Sequence, residues 1–249
     1  MNDKSDLNQP YRGQKELGVL SMNGAGVVVT IDGPAASGKS SVSREVARRM
    51  GWSWVSTGAF YRGLAFVAFQ RKVDLSNEEA LERLAHSSIW FVQMGTEQTS
   101  VVLDGKDVTE EINREEIGSL ASIVSSFPKV RKALLDAQRQ CAMGVAGLVA
   151  EGRDCGTVVF PSANVKFFLT ARAENRAARR ALEEGRDLNQ TIDDQKLRDA
   201  QDANRKAAPM QASTDSHTID TTAHSLIEVV DIVEGFVQQH LAIGTNSLN

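Results

Sequence analysis

Eight consecutive residues, Gly33-Pro34-Ala35-Ala36-Ser37-Gly38-Lys39-Ser40, satisfy the spacing G-x-x-x-x-G-K-[ST], and that spacing carries a definite chemistry. Glycines let a loop turn its backbone N–H groups inward around a phosphate, and a helix beginning at the lysine adds the positive end of its dipole. Lys39 would then bring a point charge to the β- and γ-phosphates of a nucleoside triphosphate, and the Ser40 hydroxyl would ligate Mg²⁺. Ser41 completes the candidate nucleotide-binding stretch. A glycine-rich turn that binds nothing is the plainer alternative. The flanks speak against it, because an apolar β-branched run precedes the loop and a helical pattern follows it.

Four further groups of polar residues stand where α/β proteins put their chemistry. Thr57, Tyr61 and Arg62 open a helical stretch directly after a short strand, a position that faces the ligand crevice of an open sheet. Thr57 is equally suited to capping that helix. Arg153 and Asp154, flanked by Gly152 and Gly156, end an apolar run. Charges at the end of a buried strand are costly unless paired or used, so function is favoured over a simple Arg153–Asp154 ion pair. Arg172, Arg176, Arg179 and Arg180 fall at i, i+4, i+7 and i+8, on one helix face. An ordinary solvated face has the same spacing, but beside a phosphate loop it suits a lid that grasps phosphate, with Gly185 near the tip. Arg198, Asp202 and Arg205 follow at i, i+4 and i+7. Ion pairing within the helix accounts for the first two, at about 0.3–0.5 kcal/mol. Arg205 is left over, just ahead of the break at Pro209 and at the helix's C-terminal mouth.

These residues need an alternating β/α framework to position them. Residues 27–31, 52–55, 165–169 and 217–221, and the apolar run from Gly147, read as strands. Residues 39–50 read as a helix with Val42, Val46, Ala47 and Met50 on one face, and a second helix runs from Ala59 to about Gln70. The texture changes between about 84 and 122. Residues 89–92, 100–103 and 106–109 look like three short strands, with Asp104-Gly105 as a hairpin turn. This is an antiparallel lobe inserted into the β/α pattern. Helical sequence resumes at 119–124, and Pro128 suits the first turn of a helix that reaches about Met143 and carries Arg131 near its start. Ser225 and Glu228 form a capping box for a last amphipathic helix. The expected organisation is a flexible tail over 1–24, one domain over 25–244 with an insert at about 84–122 and a lid at about 172–190, and a short tail over 245–249.

With 249 residues, 41% of them hydrophobic, the chain can bury one substantial core. Its net charge of −4 predicts no general attraction to nucleic acid or anionic membranes. Cys141, Cys155 and the four histidines show no metal-ligand spacing, so a protein-bound transition metal is not expected. No apolar run is long enough to span a bilayer and no signal peptide is evident, which predicts a cytoplasmic protein. A phosphate loop combined with an insert and an arginine lid points to a small-molecule kinase. Phosphoryl transfer between anions needs charge neutralisation and alignment more than it needs a base. A P-loop regulatory ATPase is the alternative outside the kinases, but it has no use for an arginine clamp on a second phosphate.

Five stretches together resemble the bacterial cytidylate kinases: T-I-D-G-P-A-A-S-G-K-S-S (30–41), S-T-G-A-F-Y-R (56–62), F-P-K-V-R (127–131), E-G-R-D-C-G-T-V-V-F-P (151–161) and D-A-N-R (202–205). The resemblance extends from Val27 to about Leu241, and the fourth stretch is far more specific than the phosphate loop. It implies an α/β P-loop NTPase fold, with a five-stranded parallel sheet, a nucleoside-monophosphate lobe and a mobile lid. It implies ATP-dependent phosphorylation of CMP and dCMP, with Mg²⁺, by a monomer. Position by position it implies that Arg62, Arg153 and Arg205 clamp the acceptor phosphate. Ser122, Arg131 and Asp154 would read cytosine with Thr57 and Tyr61 beside them, and Arg198 and Asp202 would meet the sugar. The lid arginines Arg176 and Arg180 would meet the transferring phosphoryl. The tail over 1–24 is extra to the family, and the lid around 183–194 differs from it in detail. A kinase for UMP, AMP or a shikimate-like acceptor is the rival; the insert and the cytosine-reading set argue against it.

Overall fold

The computed structural model of the chain describes residues 26–95, 97–185 and 187–246. The segment read as an N-terminal tail lies outside the described residues. In chain order come β1 (Val27–Asp32), α1 (Lys39–Met50), β2 (Ser53–Ser56), α2 (Gly58–Gln70) and α3 (Glu78–Ala85). The insert follows as β3 (Trp90–Met94), β4 (Thr99–Leu103) and β5 (Lys106–Asp107), then α4 (Thr109–Asn113) and α5 (Glu115–Val124). Next are α6 (Pro128–Gln140), β6 (Gly147–Gly152), one π-helical turn (Cys155–Val159) and β7 (Val165–Thr170). The chain ends in α7 (Ala173–Glu184), α8 (Leu188–Ala203), β8 (His217–Asp220) and α9 (Leu226–Asn246).

Strand β1 is the middle of a parallel sheet ordered β2-β6-β1-β7-β8. Val29 sits opposite Val149 of β6 on one side and Val165 of β7 on the other. Successive side chains of a strand point to opposite faces, so β1 serves two cores. Val29 and Ile31, both fully buried, pack with Val42 and Val46 of α1 and Val230 and Val233 of α9. Val28 packs on the other face with α2, α5 and α6, through Leu64, Val124 and Leu134. Each fully buried aliphatic side chain contributes roughly 1.5–3 kcal/mol. The same alternation sends Thr30 and Asp32 to the Val28 face, where the π-helical turn lies.

The antiparallel lobe is present as a separate sheet, β3-β4-β5. Its hairpin turn has Asp104 at φ 49 and Gly105 at φ 77, the paired left-handed residues that a two-residue hairpin favours. Strand β5 is shorter than the stretch 106–109 suggests. Thr109 leaves the ladder to open α4, and its Oγ1 accepts the Val101 N–H at 3.0 Å in place of a strand partner. Helix also begins earlier than 119, because α4 and α5 fill 109–124 with acidic first turns. Helix α3 had no strong periodic signal, since Leu81 is its only buried residue. Asn77 starts it by accepting the Ala80 N–H at 3.0 Å. The capping box is made as expected: Glu228 accepts the Ser225 N–H at 2.7 Å and Ser225 Oγ accepts the Glu228 N–H at 3.3 Å. Helix α9 runs to Asn246, two residues into the stretch assigned to a C-terminal tail.

Candidate active site

The phosphate loop leaves the C-terminal end of β1 and delivers Lys39 as the first residue of α1. Two glycines make the path possible. Gly33 has φ 145, and a Cβ there would come within 2.1 Å of the Leu169 carbonyl oxygen. Gly38, at φ 90, precedes the helix. Ala36 also sits in the left-handed region, at φ 55, a strain of about 1–2 kcal/mol for a residue with a Cβ. Lys39 is buried, and its ammonium donates to Pro34 O at 2.5 Å and lies 3.4 Å from Ser37 Oγ. Burial above all, then the neighbouring Arg153, brings its pKa down to about 7, against the upward pull of Glu151, Asp32 and Asp202.

Two carboxylates that carried no role in the sequence reading organise the loop's surroundings. Glu151 of β6 accepts the Ser40 hydroxyl with both oxygens, at 2.8 and 2.9 Å. Asp32 accepts the backbone N–H groups of Cys155 and Gly156, at 2.8 and 2.7 Å. It therefore grips the turn that carries Arg153 and Asp154. Burial, partly offset by those two hydrogen bonds, pushes Asp32 up to about 6. Each is a single carboxylate closing an otherwise apolar strand, the signal by which sequence reasoning could have found both.

A crevice at the C-terminal edge of the sheet brings most of the candidate residues together. Ala35, Ala36, Lys39 and Ser40 line it from the loop; Thr57, Tyr61 and Arg62 line it from α2 and its start; Ser122 comes from α5. Arg153 and Asp154 reach it from the end of β6, Arg180 from α7, and Arg198, Asp202 and Arg205 from α8 and its exit. Gly33, Pro34, Ser37, Gly38 and Ser41 support the loop without lining the crevice. Arg131 and Arg176 stand behind the wall.

Several partnerships differ from those the spacing suggests. Arg153 and Asp154 are not an ion pair with each other. Asp154 is buried against Arg131, whose guanidinium lies 5.2 Å from the centre of the Tyr61 ring and donates to Ser125 O. Arg153 Nε donates to Asp202 at 2.9 Å. Arg198 does not pair with Asp202 one turn on; it reaches Glu115 of α5 at 2.7 Å. Thr57 occupies the N-cap position of α2 without capping it. Its hydroxyl donates to Glu151 O at 2.8 Å, tying β2 to β6 at the crevice floor.

The arginines of α7 are not one exposed face. Arg176 is buried, donating to Ala35 O at 3.0 Å and pairing with Asp199 at 2.6 Å, so it braces the phosphate loop from behind. Arg179 donates to the backbone and side chain of Thr221 at the end of β8. Arg180 turns to the crevice and to Glu115, while Arg172 is exposed. On the α2 side of the crevice, Arg62 donates to Ile112 O at 2.8 Å, and burial with nearby Arg198 and Arg180 brings it down to about 10. Arg205 donates to Ser125 Oγ at 3.4 Å, while its Nη2 is buried without a hydrogen-bond partner. A buried guanidinium N–H left unanswered costs about 1–3 kcal/mol, a cost that an anion in the crevice would remove.

A phosphate loop at the carboxyl edge of a parallel sheet, opening on an arginine-lined crevice beneath an insert and a two-helix arm, defines a P-loop phosphotransferase. The family model described as cytidylate kinase matches residues 29–239. A cytidylate kinase of Bdellovibrio bacteriovorus is 57% identical over 216 residues, 87% of this chain and the whole of that protein. Those of Pseudomonas aeruginosa (strain LESB58) and Colwellia psychrerythraea are 44% and 46% identical, over 85% and 86% of this chain and 95% and 97% of theirs. The chain belongs to the cytidylate kinase family.

Proposed function

We propose that the protein transfers the γ-phosphoryl group of ATP to the phosphate of CMP or dCMP, yielding ADP and the cytidine diphosphate. The observation that carries this reading is Asp154 in the crevice wall, with the buried Arg131 paired to it from behind. A carboxylate can only accept and a guanidinium can only donate. Cytosine offers an amino donor at its 4-position and acceptors at N3 and O2, which matches the pair. Uracil offers an acceptor at position 4 and a donor at N3, which does not. Tyr61 and Ser122 flank the same site.

The roles follow from the partners. Lys39 and the loop N–H groups hold the β- and γ-phosphates. Arg62, Arg153 and Arg205 hold the acceptor phosphate, with the unanswered Arg205 Nη2 as its first donor. Arg198 and Asp202 lie beside the sugar. An oxygen of the acceptor phosphate forms the new bond to the γ-phosphorus as the bridging β–γ bond breaks, and ADP leaves with the electron pair. The acceptor is already an anion, so no residue has to act as a base. Arg180 stands where the transferring group passes, whereas Arg176 acts through the loop it braces. Ser40 with Glu151 fits Mg²⁺, which keeps most of its waters and takes few protein ligands. When bound, the ion would neutralise phosphate charge. The buried free thiols Cys141 and Cys155 accord with a reducing, cytoplasmic setting.

The test is ADP release measured with each nucleoside monophosphate in turn and with none. We expect release that depends on an acceptor and is fastest with CMP and dCMP. Equal release without an acceptor would make the protein an ATPase, and a preference for UMP or AMP would reassign the substrate.

A further inference from the structure

Glu115 has no part in the mechanism above, yet it lies among Arg62, Arg180 and Arg198. It belongs to the first turn of α5, on the insert, with its side chain 26% exposed. Its Oε2 pairs with Arg180 of α7, and its Oε1 with Arg198 of α8 at 2.7 Å. Three separate elements meet on this one carboxylate. Arg62 crowds in from α2 and donates to the carbonyl of Arg114, the residue before Glu115, at 3.2 Å. Gly118 leaves the room for this approach: a Cβ there would lie 2.7 Å from Arg198 Nη2 and 2.8 Å from Arg62 Nη2. These guanidinium groups repel one another. Burial, then Arg198 and Arg180, lowers the pKa of Arg62, and Glu115 opposes that shift. Burial likewise lowers Arg198, and Glu115 leads the opposing influences.

We propose that Glu115 is a positioning residue for phosphoryl transfer, its carboxylate holding Arg180 of the lid and Arg198 of α8 side by side against the insert. Resting on the reading of the crevice as a phosphoryl-transfer site, this makes lid closure and arginine alignment one event. A cluster of like charges assembled only when substrate arrives must reorganise during the reaction; a built-in counter-ion presents it already arranged. Glu115 is not among the residues lining the crevice, so it neutralises the arginines from behind without competing for the phosphates. Its partial exposure keeps the bridge breakable, as product release requires.

The experiment is steady-state kinetics of wild type, Glu115→Gln and Glu115→Asp with ATP and CMP, beside thermal unfolding of each. Glutamine keeps the shape and loses the charge. We expect it to fold and its kcat to fall ~10-fold or more, the scale on which misplacing groups at a reaction centre acts. Its KM for ATP should stay within about threefold of wild type, because the phosphate loop that holds ATP is untouched. A kcat within about twofold of wild type overturns the positioning role, and so does a loss confined to KM for ATP. Should the glutamine variant fail to fold, Glu115→Asp decides. It keeps the charge but shortens the reach, so it should fold and lose at least about threefold in kcat; an unchanged kcat overturns the proposal. Wild type inactive with every monophosphate would overturn the transferase reading and this one together. Wild type active beside an unaffected variant overturns this one alone.

Discussion

Lys39 illustrates how burial sets up a binding site. Its ammonium is shielded from water and crowded by Arg153, with a carbonyl as its nearest acceptor. Its pKa of about 7 means that near neutrality the charge is only half present. Bound triphosphate should restore it. At pH 8 the free enzyme holds Lys39 mostly neutral and the complex holds it charged, so ATP binding should take up close to one proton; at pH 6 it should take up almost none. Affinity should weaken as pH rises above about 7, by up to about tenfold per unit. Calorimetry in buffers of differing ionisation enthalpy reads the uptake. Lys39→Met should abolish it and lower turnover at least ~100-fold, as loss of one preorganised donor does. Uptake that persists in that variant assigns the proton elsewhere. Asp154 is testable in the same way. Asparagine offers both a donor and an acceptor, so its amide can turn toward either base. Asp154→Asn should lose kcat/KM for CMP and narrow the CMP-over-UMP ratio at least ~10-fold, since unpaired buried polar groups can enforce ~10⁴-fold discrimination. A carboxylate that served only to hold Arg131 in place would cost both substrates equally.

At the level of elements, α7 and α8 form an arm whose ties to the rest are polar and few in kind. Arg176 and Arg179 tie α7 to the phosphate loop and the end of β8, and Glu115 ties both helices to the insert. Leu182 and Leu197 are left exposed, at 87% and 62%. An element held this way opens locally at little cost. Amide exchange across α7 should slow when ATP and CMP are both present, and less with either alone. Exchange unchanged at saturation would make the arm a fixed part of the fold. The arm also shows where sequence reading stops. The phosphate loop was legible because its chemistry is contiguous, and the strands because short apolar runs stand out between helical patterns. The arginine spacing correctly marked a helix beside the site. It could not show that Arg176 points inward, Arg179 toward β8 and Arg180 toward the crevice, because those directions are set by what packs against α7. Partner choice was hidden for the same reason. Arg131 and Asp154 lie 23 residues apart and Arg153 and Asp202 49 apart, distances over which spacing along one helix says nothing.

On the scale of the whole molecule, the two cores meet on the central strand, and the site is built where that strand runs out of apolar residues. Asp32 is the point at which stability and function oppose each other. Its carboxylate, on the face of β1 that packs against the insert side, fixes the Cys155–Gly156 backbone and through it the approach of Arg153 and Asp154. Burial makes its charge costly, and the two N–H groups recover only part of that cost. Groups facing it include Lys39, which attracts its charge, and Asp154, which repels it. The folded pKa of about 6 lies above the ordinary 3.8, so the fold prefers the protonated form. Below pH 3.8 the group is neutral in both states and contributes nothing. Between about 3.8 and 6 the unfolded chain ionises first and stability falls as pH rises. Above about 6 the full penalty applies, on the order of 3 kcal/mol at 1.36 kcal/mol per pH unit. Asparagine cannot ionise, so Asp32→Asn removes this pH dependence while presenting an amide N–H to one of the two backbone donors. We therefore expect the variant to gain on wild type, in urea-unfolding free energy, as pH is raised from 4 to 7, and to lose CMP phosphorylation through a raised KM for CMP. A stability difference that stays constant across that range would mean that Asp32 titrates normally and is not the strained support of the Arg153–Asp154 turn.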